Sequence, residues 1–119
     1  MIGTDIIEVS RVEKLIIDKG DKFLNRIYTQ KEINYCSSKG QNKYQHYAGR
    51  FAAKEAVFKI VAKNYLYGKT LKFKNIEILN EEDGTPYVNI IHNELFSCTS
   101  ISISISHIKK YATAVALMV

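Results

Sequence analysis

The sequence predicts an α+β domain with its helices packed on a small antiparallel sheet, and three features carry that prediction. Apolar residues recur at helical spacing through the first half of the chain, most strongly at 44–62. Beyond Gly68 the pattern becomes extended. The stretch 100–106 then alternates Ser and Ile without a break before an apolar run at 111–119. Helices that largely precede hairpin-linked strands fit an α+β arrangement. With 119 residues and no repeat, linker or Pro/Ser-rich spacer, 1–119 is read as a single domain.

Ile2, Asp5, Ile6, Ile7 and Val9 read as a short apolar first strand. In the helix that follows, Ser10 and Glu13 have capping-box spacing, Val12, Leu15 and Ile16 form the inner stripe, and Gly20 supplies the stop. Thr29 and Glu32 repeat the box before a second, shorter helix that ends at 37–40. The long helix at 44–62 comes next. After Gly68, Leu71 and Phe73 and then Ile76 and Ile78 alternate with polar residues but change phase at Asn75, which predicts a bulge or two strand pieces. Glu82, Asp83, Gly84 and Thr85 make a turn, and Pro86 leads into a strand at 87–91. In the closing hairpin 107–110 connects the strand 100–106 to the return strand 111–119. Both faces of that strand are apolar, so it is predicted to be central or packed against another subunit.

One residue breaks the pattern of the long helix. Tyr44, Tyr47, Ala48, Phe51, Phe58 and Ala62 mark a buried face. At ~100° per residue, Glu55 lies within roughly 40° of Phe51 and about 20° from the direction shared by Tyr44 and Ala62. An isolated carboxylate is costly to bury, so a cation, a proton or a donor network is expected beside it. Two readings are open. Lys59 stands four residues on, and a Glu–Lys pair at that spacing is common on solvated helix faces; alternatively, Glu55 belongs to a metal-bound or substrate-facing site.

Composition restricts the classes. A chain that is 46% hydrophobic and 24% charged has ordinary globular make-up. Its longest weakly polar run, 111–119, is far short of the ~20 residues of a membrane span. No basic segment leading into an apolar one opens the sequence, so a cytoplasmic protein, neither secreted nor membrane-embedded, is expected. Cys36 and Cys98 are too few for a disulfide scaffold and lack zinc spacing, which makes them reduced thiols. Seventeen Lys and Arg against twelve Asp and Glu give a net charge of +5 and favour an anionic partner. The positive residues are dispersed rather than gathered into a nucleic-acid tail. A basic nucleic-acid module and a non-catalytic trimeric scaffold both leave Asp5 and Glu55 unexplained, and no RNA-binding aromatic signature or zinc spacing is present.

Two segments carry a family likeness. GTDIIEVSRV at 3–12 and RFAAKEAVFKIVAK at 50–63 resemble the two signature motifs of the holo-acyl-carrier-protein synthase type of phosphopantetheinyl transferase. Their separation and the chain length fit the small bacterial class, and SISH at 104–107 with KKYATAVAL at 109–117 resembles its closing hairpin. The resemblance implies the phosphopantetheinyl transferase fold and a homotrimer with active sites at subunit boundaries. The reaction it implies moves 4′-phosphopantetheine from coenzyme A to a serine of apo acyl carrier protein in fatty acid biosynthesis, releasing adenosine 3′,5′-bisphosphate.

By the same resemblance Asp5 and Glu55 are the ligands of a magnesium ion, and Lys59 is the catalytic cation against the phosphates. Arg50 and His107 take the 3′-phosphate of coenzyme A, with His107 reaching the site from the neighbouring subunit. Arg11, Lys14 and Leu15 on the first helix dock the acidic carrier. The chemistry agrees, since magnesium is commonly held by one or two carboxylates together with substrate phosphates. A carboxylate or a metal-bound water takes the serine proton; Glu55 is the preferred base because apolar surroundings raise its proton affinity. Read from the residues alone, Asp5 is a solvated strand residue, Arg50 a solvated arginine, His107 an ordinary turn histidine, and Arg11 and Lys14 solubilising charges. His46 and His92 have no partner pattern and receive no role.

The chain departs from the family pattern twice. KNYLYGKT at 63–70 holds only Gly68 where many members have a glycine-rich turn, so main-chain contacts to coenzyme A are not carried over there. Ile108 follows His107 where a hydroxyl residue often helps hold phosphate. Phosphate affinity is therefore expected to be lower or supplied differently.

Overall fold

The computed structural model of the chain describes residues 1–64, 71–91 and 100–119. Its order is β1 (Ile2–Glu8), α1 (Val9–Lys19), α2 (Asp21–Ile27), α3 (Gln30–Ser37), α4 (Lys43–Asn64), β2 (Ile76–Asn80), β3 (Pro86–Ile90), β4 (Ile101–His107) and β5 (Tyr111–Met118). The α+β class is as predicted, but the strands form two antiparallel sheets, β1-β5-β4 and β2-β3. β5 is central, paired with β1 from Ile2↔Leu117 to Glu8↔Tyr111 and with β4 from Ile101↔Met118 to His107↔Ala112. That position accounts for only one of its two apolar faces. Ala112, Ala114 and Ala116 enter the core, while Tyr111, Val115 and Leu117 remain exposed on the other side.

Local signals explain some element ends and not others. The Thr29 box forms: Glu32 N–H donates to Thr29 Oγ1 (3.4 Å), and Thr29 N–H donates to Glu32 Oε1 (2.8 Å). Gly20 ends α1 at φ 54°, with its N–H on the Ile16 carbonyl. The Ser10–Glu13 box does not form. β1 runs straight into α1 with Glu8 at the cap position, and the Val9 N–H is taken by the Lys110 carbonyl of the β4–β5 turn (2.8 Å). The phase change at Asn75 is neither a bulge nor a break between strands but a 3-10 turn at Phe73–Asn75, after which β2 begins. The seven-residue α2 has no counterpart in the sequence reading.

The long helix α4 is buried around most of its circumference, through Tyr47, Ala48, Ala52, Ala53, Ala56, Val57, Ile60 and Val61. Its small residues admit the sheet closely. At Gly3 an added Cβ would stand 2.3 Å from the Ala56 carbonyl oxygen, so only glycine allows β1 to cross α4 there. Asp5 shares the buried face of β1 with Gly3, because side chains two apart in a strand point the same way. This crossing brings a strand carboxylate against the helix that carries Glu55 and Lys59.

Glu55 does not occupy the middle of the buried face. Alanines mark that face, while Phe51, Glu55 and Phe58 are half-buried along its margin. The deeply buried charge is instead its neighbour Lys54, paired with Glu32 at 2.7 Å with both side chains fully inaccessible. Lys54 Nζ also donates to the carbonyls of Phe73 (3.0 Å) and Ile76 (2.7 Å), and Glu32 Oε2 accepts the Ile78 N–H (3.0 Å). Every polar atom of the pair has a partner, and together they fasten α3, α4 and β2. Cys36 is buried, and its thiol is pushed up to about 12, chiefly by burial, so it is a packing residue. Among the described residues no helix is long and apolar enough to cross a membrane. The turn containing Gly68, His92 and Cys98 lie outside the described residues.

Candidate functional site

Two polar clusters flank α4. In the first, Lys59 Nζ lies 3.1 Å from Asp5 Oδ1 and donates to the Thr4 carbonyl at 3.0 Å. The i, i+4 pairing of Glu55 with Lys59 is not made, because the lysine turns to Asp5 across the Gly3 crossing. Among the described residues Glu55 has no ion-pair partner within 4 Å. Its carboxyl is held above the usual glutamate range, first by burial and then by the Asp5 charge, with Lys59 partly opposing. Among the described residues, Lys59 thus pairs with Asp5 and leaves Glu55 without an ion-pair partner. No group of three or more metal-ligating side chains occurs among the described residues. Two partly buried carboxylates fit a magnesium ion that keeps waters and completes its shell on substrate phosphates, and do not make a closed structural metal site.

The second cluster is built on the other side of the helix. His46, Gly49 and Arg50 line a cleft of about 160 Å³ with Tyr35 of α3, Asn80 and Pro86 of the β2–β3 hairpin, and Ile105 and His107 of β4. Arg50 is not solvated: only 4% of it is exposed. Its Nη2 donates to Asn80 Oδ1, its guanidinium carbon stacks 3.9 Å from the Tyr35 ring centroid, and its Nε is buried with no acceptor among the described residues. No carboxylate lies within 4 Å of it among the described residues. A buried cation with only neutral partners is poised for an anion. His107 meets Arg50 within the same chain; its Nδ1–H donates to Gln45 Oε1 (2.9 Å), and burial and Arg50 both lower its pKa.

Sequence reasoning passed over His46, whose ring stands 4.7 Å from that of His107 and 5.6 Å from that of Tyr35. Burial is the main reason its pKa falls to about 4, and His107, Lys39 and Arg50 add to it. The spacing of His46, Gly49 and Arg50, i, i+3 and i+4 on one helix face, was a usable signal. Tyr35 and Asn80 had none, since each reaches Arg50 from a different element.

Helix geometry separates the two clusters. Arg50 and Lys59 are nine residues apart, which is about 180° around the axis and roughly 13 Å along it. Asp5, Glu55 and Lys59 come together on one side, and Arg50 and His107 on the other. Neither set approaches the third group of predicted residues. Arg11 and Lys14 are exposed on α1, and half-buried Leu15 lines a groove of about 390 Å³ with Phe23, Phe51 and Phe73 and the basic Lys19, Lys22 and Arg26. A larger cleft, about 590 Å³, beside the β1–α1 junction and the β4–β5 turn contains none of the predicted site residues.

The chain is similar to known proteins over its whole length. A family model for the 4′-phosphopantetheinyl transferase superfamily matches residues 1–116. A holo-[acyl-carrier-protein] synthase of Ruminiclostridium cellulolyticum is 42% identical over 99% of this chain and 90% of its own. Among solved structures, holo-[acyl-carrier-protein] synthase of Helicobacter pylori in complex with coenzyme A superposes with a TM-score of 0.84, at 35% identity and full coverage of both chains. The Bacillus anthracis holo-(acyl-carrier-protein) synthase in complex with CoA (3′,5′-ADP) gives 0.79, at 38% identity over 98% of this chain and 93% of that one.

Proposed function

The chain belongs to the 4′-phosphopantetheinyl transferase superfamily, and from that membership we propose that it is a magnesium-dependent transferase acting in fatty acid biosynthesis in the cytoplasm. It moves 4′-phosphopantetheine from coenzyme A to a serine of apo acyl carrier protein and releases adenosine 3′,5′-bisphosphate. The observation that carries this reading is the Asp5–Lys59–Glu55 cluster, two carboxylates and one ammonium gathered from β1 and α4.

Asp5 and Glu55 would hold the magnesium ion, which when bound supplies Lewis-acid polarisation of the pyrophosphate. Lys59, half exposed beside them, offsets charge on the transferring phosphoryl oxygens. Glu55, a carboxylate on the same side of α4 as Lys59, would accept the proton of the attacking serine Oγ. The new bond joins serine Oγ to the phosphorus bearing pantetheine. The bond to the bridging pyrophosphate oxygen breaks, and the adenosine bisphosphate leaves.

The opposite placement of the clusters on α4 supports a site made by two chains, because one coenzyme A cannot touch both sides of a packed helix. One subunit contributes Asp5, Glu55 and Lys59, and its neighbour contributes Arg50 and His107 for the 3′-phosphate. The exposed apolar face formed by Ile2, Ile6, Tyr111, Val115 and Leu117 supports assembly into a homotrimer. Arg11 and Lys14 with Leu15 suit an acidic carrier helix, and the adjoining groove adds aromatic contact and three more positive charges. Intact-mass measurement of an apo carrier protein incubated with coenzyme A and magnesium tests the reading. A phosphopantetheine mass increment supports it; an unmodified carrier together with salt-sensitive oligonucleotide binding favours a nucleic-acid module instead.

A further inference from the structure

Among the described residues, the Arg50 guanidinium is held by uncharged groups alone. Asn80 Nδ2 donates to the Gly84 carbonyl at 2.9 Å, which turns Asn80 Oδ1 toward Arg50 Nη2. Gly84 sits at φ 92°, so the hairpin turn that supplies this carbonyl is itself fixed by a backbone conformation that favours glycine. On the other element, the Tyr35 ring stacks under the guanidinium and carries Lys39 Nζ 4.4 Å from its centroid. An arginine this buried is ordinarily neutralised by a carboxylate. Here direction is fixed without spending charge.

We propose that Asn80 and Tyr35 are positioning residues that orient Arg50 while leaving its full charge for the terminal phosphate of the ligand, and so set the preference of the site for a 3′-phosphorylated nucleotide. This rests on the reading that Arg50 meets the 3′-phosphate of coenzyme A. A carboxylate at position 80 would satisfy the same hydrogen bond but neutralise the fork and repel the incoming phosphate. An aliphatic residue at 35 would free the guanidinium to leave the cleft, whereas phenylalanine keeps the ring face.

Calorimetric titration of the full-length protein with coenzyme A and with 3′-dephospho-coenzyme A separates the two levels of the inference. Arg50→Ala should abolish the preference for coenzyme A; if the preference survives, the underlying 3′-phosphate reading fails. Asn80→Asp and Tyr35→Leu should each lower the preference about tenfold, the scale of one charge-assisted hydrogen bond. Their affinity for the dephospho form should stay within about threefold of the unmodified protein, which also reports that the variant is folded. Tyr35→Phe should retain the preference. If Arg50→Ala loses it while Asn80→Asp keeps it, Asn80 has no positioning role and the proposal is overturned; Asn80→Asp, changed by one atom, decides the matter if Tyr35→Leu does not fold.

Discussion

Replacing Lys54 by Met tests how the core is held. Methionine keeps most of the apolar stem and removes the ammonium, so three contacts go at once: the 2.7 Å pair with Glu32 and the bonds to the carbonyls of Ile76 and Phe73. Glu32 would keep the N–H groups of Thr29 and Ile78 but lose the Lys54 ammonium, its one ion-pair partner among the described residues, in a position with no solvent access. Removing one partner of a buried pair costs about 3–5 kcal/mol, because the survivor is left charged and dry. Urea unfolding of both proteins at matched concentration and pH 7 measures this. The Glu32→Gln, Lys54→Met double variant should lose less than the sum of the two single changes. A Lys54→Met deficit below ~1 kcal/mol at pH 7, or strict additivity in the double variant, would refute the reasoning.

Asp5→Asn and Glu55→Gln should each remove metal-dependent transfer, by a hundredfold or more on the ~3 kcal/mol scale of a lost electrostatic stabiliser, while circular dichroism stays unchanged; full activity in either variant would end the metal assignment. Arg11→Glu should raise the KM for carrier protein by about tenfold and leave that for coenzyme A nearly unchanged, with carrier binding weakened by salt; equal effects on both substrates would remove Arg11 from the docking face. Because the His46 ring is pushed down from 6.5 to about 4 in the folded chain, its contribution to stability is present above pH 6.5 and is lost as the pH falls from there toward 4. Melting temperature across that window should therefore fall more steeply for the unmodified protein than for His46→Gln, and parallel profiles would contradict the assignment.

What was legible in the sequence was what neighbours in the chain decide. Thr29 and Glu32 cap α3 through bonds three residues apart, and Ser/Ile alternation fixes β4 because each isoleucine faces the core and each serine does not. Ser10 and Glu13 have the same local spacing, yet the helix begins two residues earlier because a carbonyl at Lys110, distant in sequence, satisfies Val9. The Glu55 anomaly led to the Asp5–Lys59 cluster by an inexact route. Aromatic positions define the margin of α4 rather than its centre, and its alanines, together with Gly3 on β1, allow the close backbone approach that brings Asp5 to Lys59. Lys54 and Glu32 were invisible as a pair because their contact crosses elements 22 residues apart. Asn80 and Tyr35 were missed for the same reason.

The central claim is a transfer site assembled from opposite faces of α4 in two chains, and mixed assemblies test it most directly. Lys59→Ala and His107→Ala proteins, each impaired alone, are unfolded and refolded together at equal ratio, with native mass spectrometry verifying that mixed trimers form. Random mixing should leave roughly one boundary in four carrying both native residues. Carrier modification by the mixture, followed as the phosphopantetheine mass increment, should therefore recover well above either parent. Verified mixing with no recovery would contradict the shared site.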